Sequence, residues 1–535
     1  MLGKRRYISR PSSNPLDPLR PSVPLPQFRP TAKPRTVPTH ERRRAIGRRV
    51  VARRREACLP RLRPASEADL DVDYRARFPN INEAKVLRKI DARVVPVLCV
   101  LYLLAFLDRV NISNAALFGL KTDLKLTGTK YNNALVVFFV PYVLAEIPSN
   151  ALLKHFKPHV WLPLCMFLFG LVSVCQGLVQ NYSGLIACRF FLSGVFPACF
   201  YLIAMWYKRA EAQKRYSFFF SSTTLAGGFG GLLASAIGKM DGLRATMVGD
   251  GSSSSGAVTC VVSVVLYFTI SDFPEEVTWL SPEEKEFVKA RLHADVGQSR
   301  RHDPLTVRSV LSVFKDFKII VGGFMYFGLI VPAYGYAYFA PAIIQTLGHS
   351  SIRTQLLSVP PWACAFALAM LTAAASDYLR HRFVFVLIPT AIALTGFIIL
   401  LVVHDNAKLQ YAALFLSAMG TYSAMPMIVC WFNTNLGGHQ RRAVGTAWQV
   451  GFGNIGGIIA VYAFLSKDAP KYITGYSICI AFICLSVVAD VVYFISLVAE
   501  NRKRGRAEAQ ASAVLLTADE KTRMGDLNPD YRYFL

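Results

Sequence analysis

From about residue 93 to residue 500 the chain alternates long apolar blocks with short polar joints. A helix that crosses a bilayer needs roughly 20 mainly apolar residues. Twelve windows qualify, near 93–112, 131–152, 160–180, 184–206, 216–238, 256–271, 318–343, 355–376, 382–403, 409–431, 443–465 and 473–499. The pattern predicts an all-α membrane protein with twelve transmembrane helices. The sixth window is the weakest. Its clean run, Ala257–Ile270, is short and follows Gly251-Ser-Ser-Ser-Ser-Gly256, which reads as linker composition.

A polar segment, 272–317, divides the windows into six and six. Within it, Ser281 followed by Pro282 and Glu284 has the form of an N-cap, an N1 proline and a capping-box acid, so a short amphipathic helix is expected there. Gly230-Gly-Leu-Leu-Ala234 in the fifth window matches Gly456-Gly-Ile-Ile-Ala460 in the eleventh, 226 residues later, and the first and seventh windows start 225 residues apart. Such an offset suits two pseudo-symmetric six-helix halves. The expected organisation is a tail over 1–80, a half over 81–271, a central loop over 272–317, a second half over 318–499 and a tail over 500–535.

Composition agrees with a membrane protein. Hydrophobic residues make up 53% of the chain and charged residues only 18%, against about 25% charged in an ordinary soluble domain. Of the Lys and Arg, 24 lie in residues 1–93 beside 9 acids, in a Pro/Arg-rich tail with no motif and no aromatic interleaving. Nucleic acid is therefore not an expected partner. The tail reads as disordered and cytosolic, with an organelle transit peptide as the alternative. Its charge places both termini on the cytosolic side. Eleven cysteines are scattered, most of them in apolar blocks, with no CxxC and no His cluster. Disulfide scaffold, metal site and other cofactors are not implied. No phosphate-binding loop and no catalytic constellation is present, so neither an ATP-driven pump nor an enzyme is expected.

An ionisable side chain at bilayer depth costs about 2.5–3.5 kcal/mol, so each needs a partner or a purpose. Asp108 and Arg109 lie in the first window, Glu146 in the second, Arg189 in the fourth and Asp490 in the twelfth. Neighbours on a helix point about 100° apart, so one of Asp108 and Arg109 can face a cavity while the other faces a helix. A guanidinium in a partly dry cavity suits a carboxylate through its planar fork. Solvation of both at a helix end is the competing reading. Glu146 is expected to form an interhelical hydrogen bond or an inner-gate salt bridge, with substrate contact as the alternative. Arg189 is expected either in a buried structural pair or on the cavity. Asp490 has no assigned role. Gly227 with Gly231, and Gly453 with Gly457, have the spacing of close helix packing.

Several long stretches carry a resemblance. They are Leu107-Asp-Arg-Val-Asn-Ile-Ser-Asn-Ala115, Glu146-Ile-Pro-Ser-Asn150, Phe219-Phe-Ser-Ser-Thr-Thr-Leu-Ala-Gly-Gly-Phe-Gly-Gly231, Trp431-Phe-Asn-Thr-Asn-Leu-Gly-Gly-His-Gln-Arg-Arg-Ala443 and Trp448-Gln-Val-Gly-Phe-Gly-Asn-Ile-Gly-Gly457. From about Leu87 to Glu500 the chain resembles the allantoate permease branch of the anion:cation symporter family, within the major facilitator superfamily. The resemblance implies proton-coupled uptake of a small organic anion, such as allantoate, nicotinate or pantothenate, by a monomer in the plasma or the vacuolar membrane, the plasma membrane being the expected one. It implies that Arg109 binds the substrate carboxylate, that Asp108 is proton-linked and that Asn454 lines the cavity with Arg189. It also implies that Asp377 and Arg382, in Ser376-Asp-Tyr-Leu-Arg-His-Arg382, belong to a cytosolic gating motif, with Glu146 in a gating or structural role.

Two departures stand against the family pattern. The fourth span reads Arg189-Phe-Phe-Leu-Ser-Gly-Val-Phe-Pro197, about one helical turn short and without the Glu that relatives use in proton coupling. Before the sixth span, Leu243–Gly256 replaces a Gly-Trp-Arg-Trp type segment. Both departures motivate an alternative function, a non-transporting nutrient receptor or inactive paralogue that keeps the fold.

Overall fold

The computed structural model describes residues 75–117, 119–193, 198–208, 211–239, 247–296, 307–437, 439–509, 525–529 and 531–535. Most of the basic tail therefore lies outside the described residues. Those residues form helices joined by short connections. The first three windows are helices Glu83–Leu117, Lys130–His155 and Pro158–Gly177. The fourth is Tyr182–Leu192 and Ala198–Trp206, and the fifth is Ala212–Phe220 and Ser222–Lys239. In the second half the helices are Phe317–Thr346, Ser351–Leu379, Phe383–Val402, Ala407–Thr434, His439–Ala463 and Ile473–Ala509. Eight of the described helices are long and apolar enough to cross a bilayer, and Tyr182–Leu192 and Ser253–Thr269 are shorter apolar helices in the fourth and sixth windows.

The sixth span corrects a sequence expectation. It is one helix, Met247–Thr269, and the Gly-Ser run read as a linker lies inside it. The reason is packing. A Cβ built on Gly256 would stand 2.6 Å from the backbone N of Val174, and one on Gly170 would stand 2.8 Å from Cys260 Sγ. Backbones in this crossing of the third and sixth spans approach so closely that only glycine fits, and small serines extend the same contact. Composition that would make a flexible linker in water makes a tight helix crossing here.

The capping box forms as expected. Ser281 N–H donates to Glu284 Oε2 at 2.9 Å, and Glu284 N–H donates to Ser281 Oγ at 3.1 Å, at the head of helix Pro282–Val296. Lys89 Nζ donates to Glu284 Oε2 at 2.8 Å, tying this helix to the start of the first span. Phe78 packs edge-on against Phe287, with ring centres 6.0 Å apart, so the last residues of the tail also rest on it. Burial works against the Glu284 carboxylate, but the bonds from Lys89 and the Ser281 N–H hold it below its usual range. The contribution is complete above the ordinary carboxylate range and is lost as pH falls through the lowered value. Ser281→Ala should cost about 1 kcal/mol of local helix stability, seen as faster amide hydrogen exchange over 282–296. Unchanged exchange would contradict the cap.

The fifth span packs against the eighth and the second against the eleventh, so the two halves meet along two matched seams. Gly227 and Gly231 accept Trp362 and Ser358 of the eighth span, and Gly457 accepts Phe139 of the second. The halves touch at both ends of these seams. At one end Asn132 Nδ2 donates to the Val461 carbonyl at 2.7 Å, and Tyr462 donates to Asn133 Oδ1 at 2.8 Å. At the other, the Lys214 N–H donates to Asp377 Oδ2 at 3.1 Å, and Gln213 Nε2 to the Pro426 carbonyl at 3.5 Å. The third, ninth and twelfth spans turn residues such as Leu168, Val402 and Val488 outward, as lipid-facing helices must.

Candidate site between the two halves

Asp108 and Arg109 separate as adjacent helical residues must. Both are buried, at 1% and 3% exposure, which rules out a solvated helix end. Arg109 turns toward the second half. Its Nη1 donates to the Tyr334 hydroxyl at 2.6 Å, and that hydroxyl donates to Asn454 Oδ1 at 2.9 Å. Asn454 Nδ2 in turn donates to the Val450 carbonyl at 2.7 Å, which fixes the orientation of its amide. One hydrogen-bonded line thus runs from the first span through the seventh to the eleventh, across the boundary between halves. The Arg109 guanidinium lies 4.7 Å from the Phe138 ring centre and 4.9 Å from that of Tyr142, so two aromatic faces of the second span support its charge.

Asp108 turns the other way. Its Oδ2 accepts from Thr259 Oγ1 at 2.9 Å, and Ser255 of the same sixth span bonds it too. The Gly-Ser run that reads as a linker in the sequence therefore supplies part of the shell of a buried acid.

Arg189 is fully buried, and its Nη1 donates to the backbone carbonyl of Arg109 at 3.2 Å. Its Nε and Nη2, the Nε of Arg109 and the hydroxyl of Tyr338 are buried polar groups with no hydrogen-bond partner among the described residues. Tyr338 stacks on Tyr334, with ring centres 5.6 Å apart and planes 13° from parallel. Buried donors are nearly always paired. Unpaired guanidinium N–H groups from two helices, beside a phenol, form a recognition surface for an anion with acceptor oxygens.

Glu146 makes neither of the bonds expected of it. It is 1% exposed, both carboxylate oxygens are buried, and neither has a hydrogen-bond partner among the described residues. Asp377 pairs with Arg382 at 2.8 Å, and Arg382 Nη1 also donates to Ser376 Oγ at 2.9 Å. The structure therefore groups Arg109, Arg189 and Asn454 at one place, puts Asp108 just behind it, and puts Asp377 and Arg382 far from it at one end of the fold. Asp490 is fully buried in the twelfth span, its oxygens without partners, and outside this group.

The tyrosines of the seventh span were not among the residues expected from the sequence. Two signals point to them. Tyr334 and Tyr338 are four residues apart and so share a helix face. Tyr334 also stands 225 residues after Arg109, at the internal offset already visible between the first and seventh windows. Tyr334→Phe removes the one hydroxyl that joins Arg109 to Asn454. A hydrogen bond to a charged group is worth about 1.5–3 kcal/mol, so ligand binding at Arg109 should weaken on the order of tenfold or more, with membrane insertion unchanged. Unchanged binding would remove Tyr334 from the site.

Among relatives, an uncharacterized transporter of Schizosaccharomyces pombe is 32% identical over 488 residues, covering 88% of this chain and 94% of its own. The high-affinity nicotinic acid transporter of Saccharomyces cerevisiae is 29% identical, covering 84% of this chain and 85% of its own. Among solved structures, a proton:xylose symporter aligns with a TM-score of 0.61 over 76% of this chain and 96% of its own, at 14% identity, a likeness of fold alone. The sequence pattern of the Major Facilitator Superfamily matches residues 98–461. The chain is an integral, multi-pass membrane protein and belongs to the Major Facilitator Superfamily.

Proposed function

We propose that this protein is a proton-coupled symporter for a small organic carboxylate, of the anion:cation symporter kind and close to the allantoate permease branch. The observation that carries this reading is the pair of guanidinium groups, Arg109 and Arg189, both buried and holding N–H groups with no acceptor among the described residues. A substrate carboxylate accepts from Arg109, and rings of Phe138, Tyr142, Tyr334 and Tyr338 surround its body. Flat carboxylates such as nicotinate suit an aromatic surround, and a nicotinic acid transporter is among the relatives. Pantothenate and allantoate remain within the class.

Transport proceeds by rocking the halves about the Arg109–Tyr334–Asn454 line. Opening the seam at Asn132–Val461 while Lys214–Asp377 stays closed exposes the site to one side, and the reverse exposes it to the other. Asp377 and Arg382 thereby serve as a gate pair. Two buried acids stand near enough to take the proton, Asp108 and Glu146. The basic segments at the two ends of the chain support cytosolic termini, and the plasma membrane is the location this reading takes.

Binding and exchange separate this reading from a non-transporting receptor. Purified protein should bind labelled nicotinate, pantothenate or allantoate, and the same protein in vesicles should exchange the label for internal unlabelled compound. Binding with no exchange would favour the receptor. Absence of both, for all three, would reject the carboxylate.

A further inference from the structure

We propose that Glu146 is the proton carrier of the transport cycle and that it works by competing with the substrate for Arg109. The inference rests on the carboxylate reading of the site. Three observations carry it. Both oxygens of Glu146 are buried and neither receives a hydrogen bond. A Cβ built on Gly451 of the eleventh span would stand 3.1 Å from Glu146 Cγ, so the side chain lies against the opposite half at the seam that must open. Asp108, the other acid, is already bonded by Thr259 and Ser255 and turned toward the sixth span.

The groups that act on Glu146 are few. From the first span they are Arg109 and Tyr102, from its own helix Tyr142, and from the seventh span Tyr334. The eleventh span presents Gly451, which has no side chain. Arg109 is thus the one cation facing this carboxylate among the described residues. A buried carboxylate stays ionised only beside a compensating charge. When the site is empty, the ionised carboxylate of Glu146 balances Arg109. A substrate anion that docks on Arg109 brings a second negative charge, and Glu146 takes one proton from the open side. One anion and one proton then occupy the site with no net change of charge. After rocking, the anion leaves, Glu146 returns its proton to the other side, and its carboxylate again balances the charge of Arg109. Coupling follows from two carboxylates sharing one guanidinium.

The test uses the full chain in proteoliposomes with labelled nicotinate, pantothenate and allantoate in parallel. Wild type should accumulate one of them under an inward proton gradient. In Glu146→Gln the gradient stimulation should vanish while labelled-for-unlabelled exchange persists, and Glu146→Asp should recover part of the stimulation. Asp108→Asn should keep the ratio of gradient-driven to gradient-free uptake, whatever its overall level. Gradient stimulation in Glu146→Gln equal to that of wild type would overturn the proposal. If wild type moves none of the three compounds, the carboxylate reading fails, and infrared titration of the purified protein decides the Glu146 question alone. A titrating carboxyl band present in wild type, missing in Glu146→Gln and displaced in pH by Arg109→Gln supports the pair. Identical spectra for wild type and both variants refute it.

Discussion

Replacing Arg109 by Ala should reduce uptake at least about 30-fold while the protein inserts normally. The guanidinium is the only cation of the first span at this depth, and its removal leaves the substrate carboxylate without its main donor. Losing one member of a buried, hydrogen-bonded charge pair costs roughly 2–5 kcal/mol, and each 1.4 kcal/mol is about tenfold in affinity. Arg109→Ala also leaves the Tyr334 hydroxyl without its donor and Glu146 without a counter-charge. Arg109→Lys should recover only part of the loss. It restores charge but not the planar fork, and it no longer fits flat against Phe138 and Tyr142. Full uptake in Arg109→Ala would remove this residue from substrate binding.

The second large effect comes from a residue that touches no substrate. Gly457→Val should lower the apparent Tm by about 5 °C and reduce uptake more than tenfold, since overpacking a close contact costs about 1–3 kcal/mol. A Cβ on Gly457 would stand 2.2 Å from the Phe139 ring, which is wholly buried and has nowhere to retreat. Behind that ring is Tyr334, edge-on with ring centres 4.8 Å apart. Displacing Phe139 therefore moves the hydroxyl that holds Arg109, so a seam substitution reaches the site through one ring. Phe139→Ala made in the same chain should relieve the strain, and the two changes should be non-additive. Equal losses with and without Phe139→Ala would show that the glycine matters for some other contact.

How much was legible beforehand depends on the scale of the feature. The helical windows rest on runs of apolar residues, a signal set by bilayer thickness, and the helices fall where the windows do. The capping box at Ser281 is local chemistry and was equally readable. The linker reading of the Gly-Ser run before the sixth window failed because glycine and serine mean flexibility in water and close approach between helices, and the facing third span, with Gly170, distinguishes the two. For the site, adjacency of Asp108 and Arg109 fixed their divergence but not which faced the second half. That depends on the neighbours, Thr259 on one side and Tyr334 on the other, which lie 151 and 225 residues away in sequence. Arg189 is a candidate for a structural pair or a cavity role, and its bond to the Arg109 carbonyl puts it beside the first span at Arg109. Glu146 was read from its position near one helix end, which carries no information about the glycine opposite it. Asp490 remains a buried acid for which the structure offers no partner and we have no physical account.

Gradient-driven uptake by the wild-type chain tests the account most directly. Proteoliposomes loaded at neutral pH would be diluted into acidic buffer with labelled nicotinate, pantothenate or allantoate, with a protonophore added to a parallel sample. The account predicts accumulation of one compound above its external concentration, abolished by the protonophore. Equilibration without accumulation, identical with and without the protonophore, would contradict proton-coupled symport.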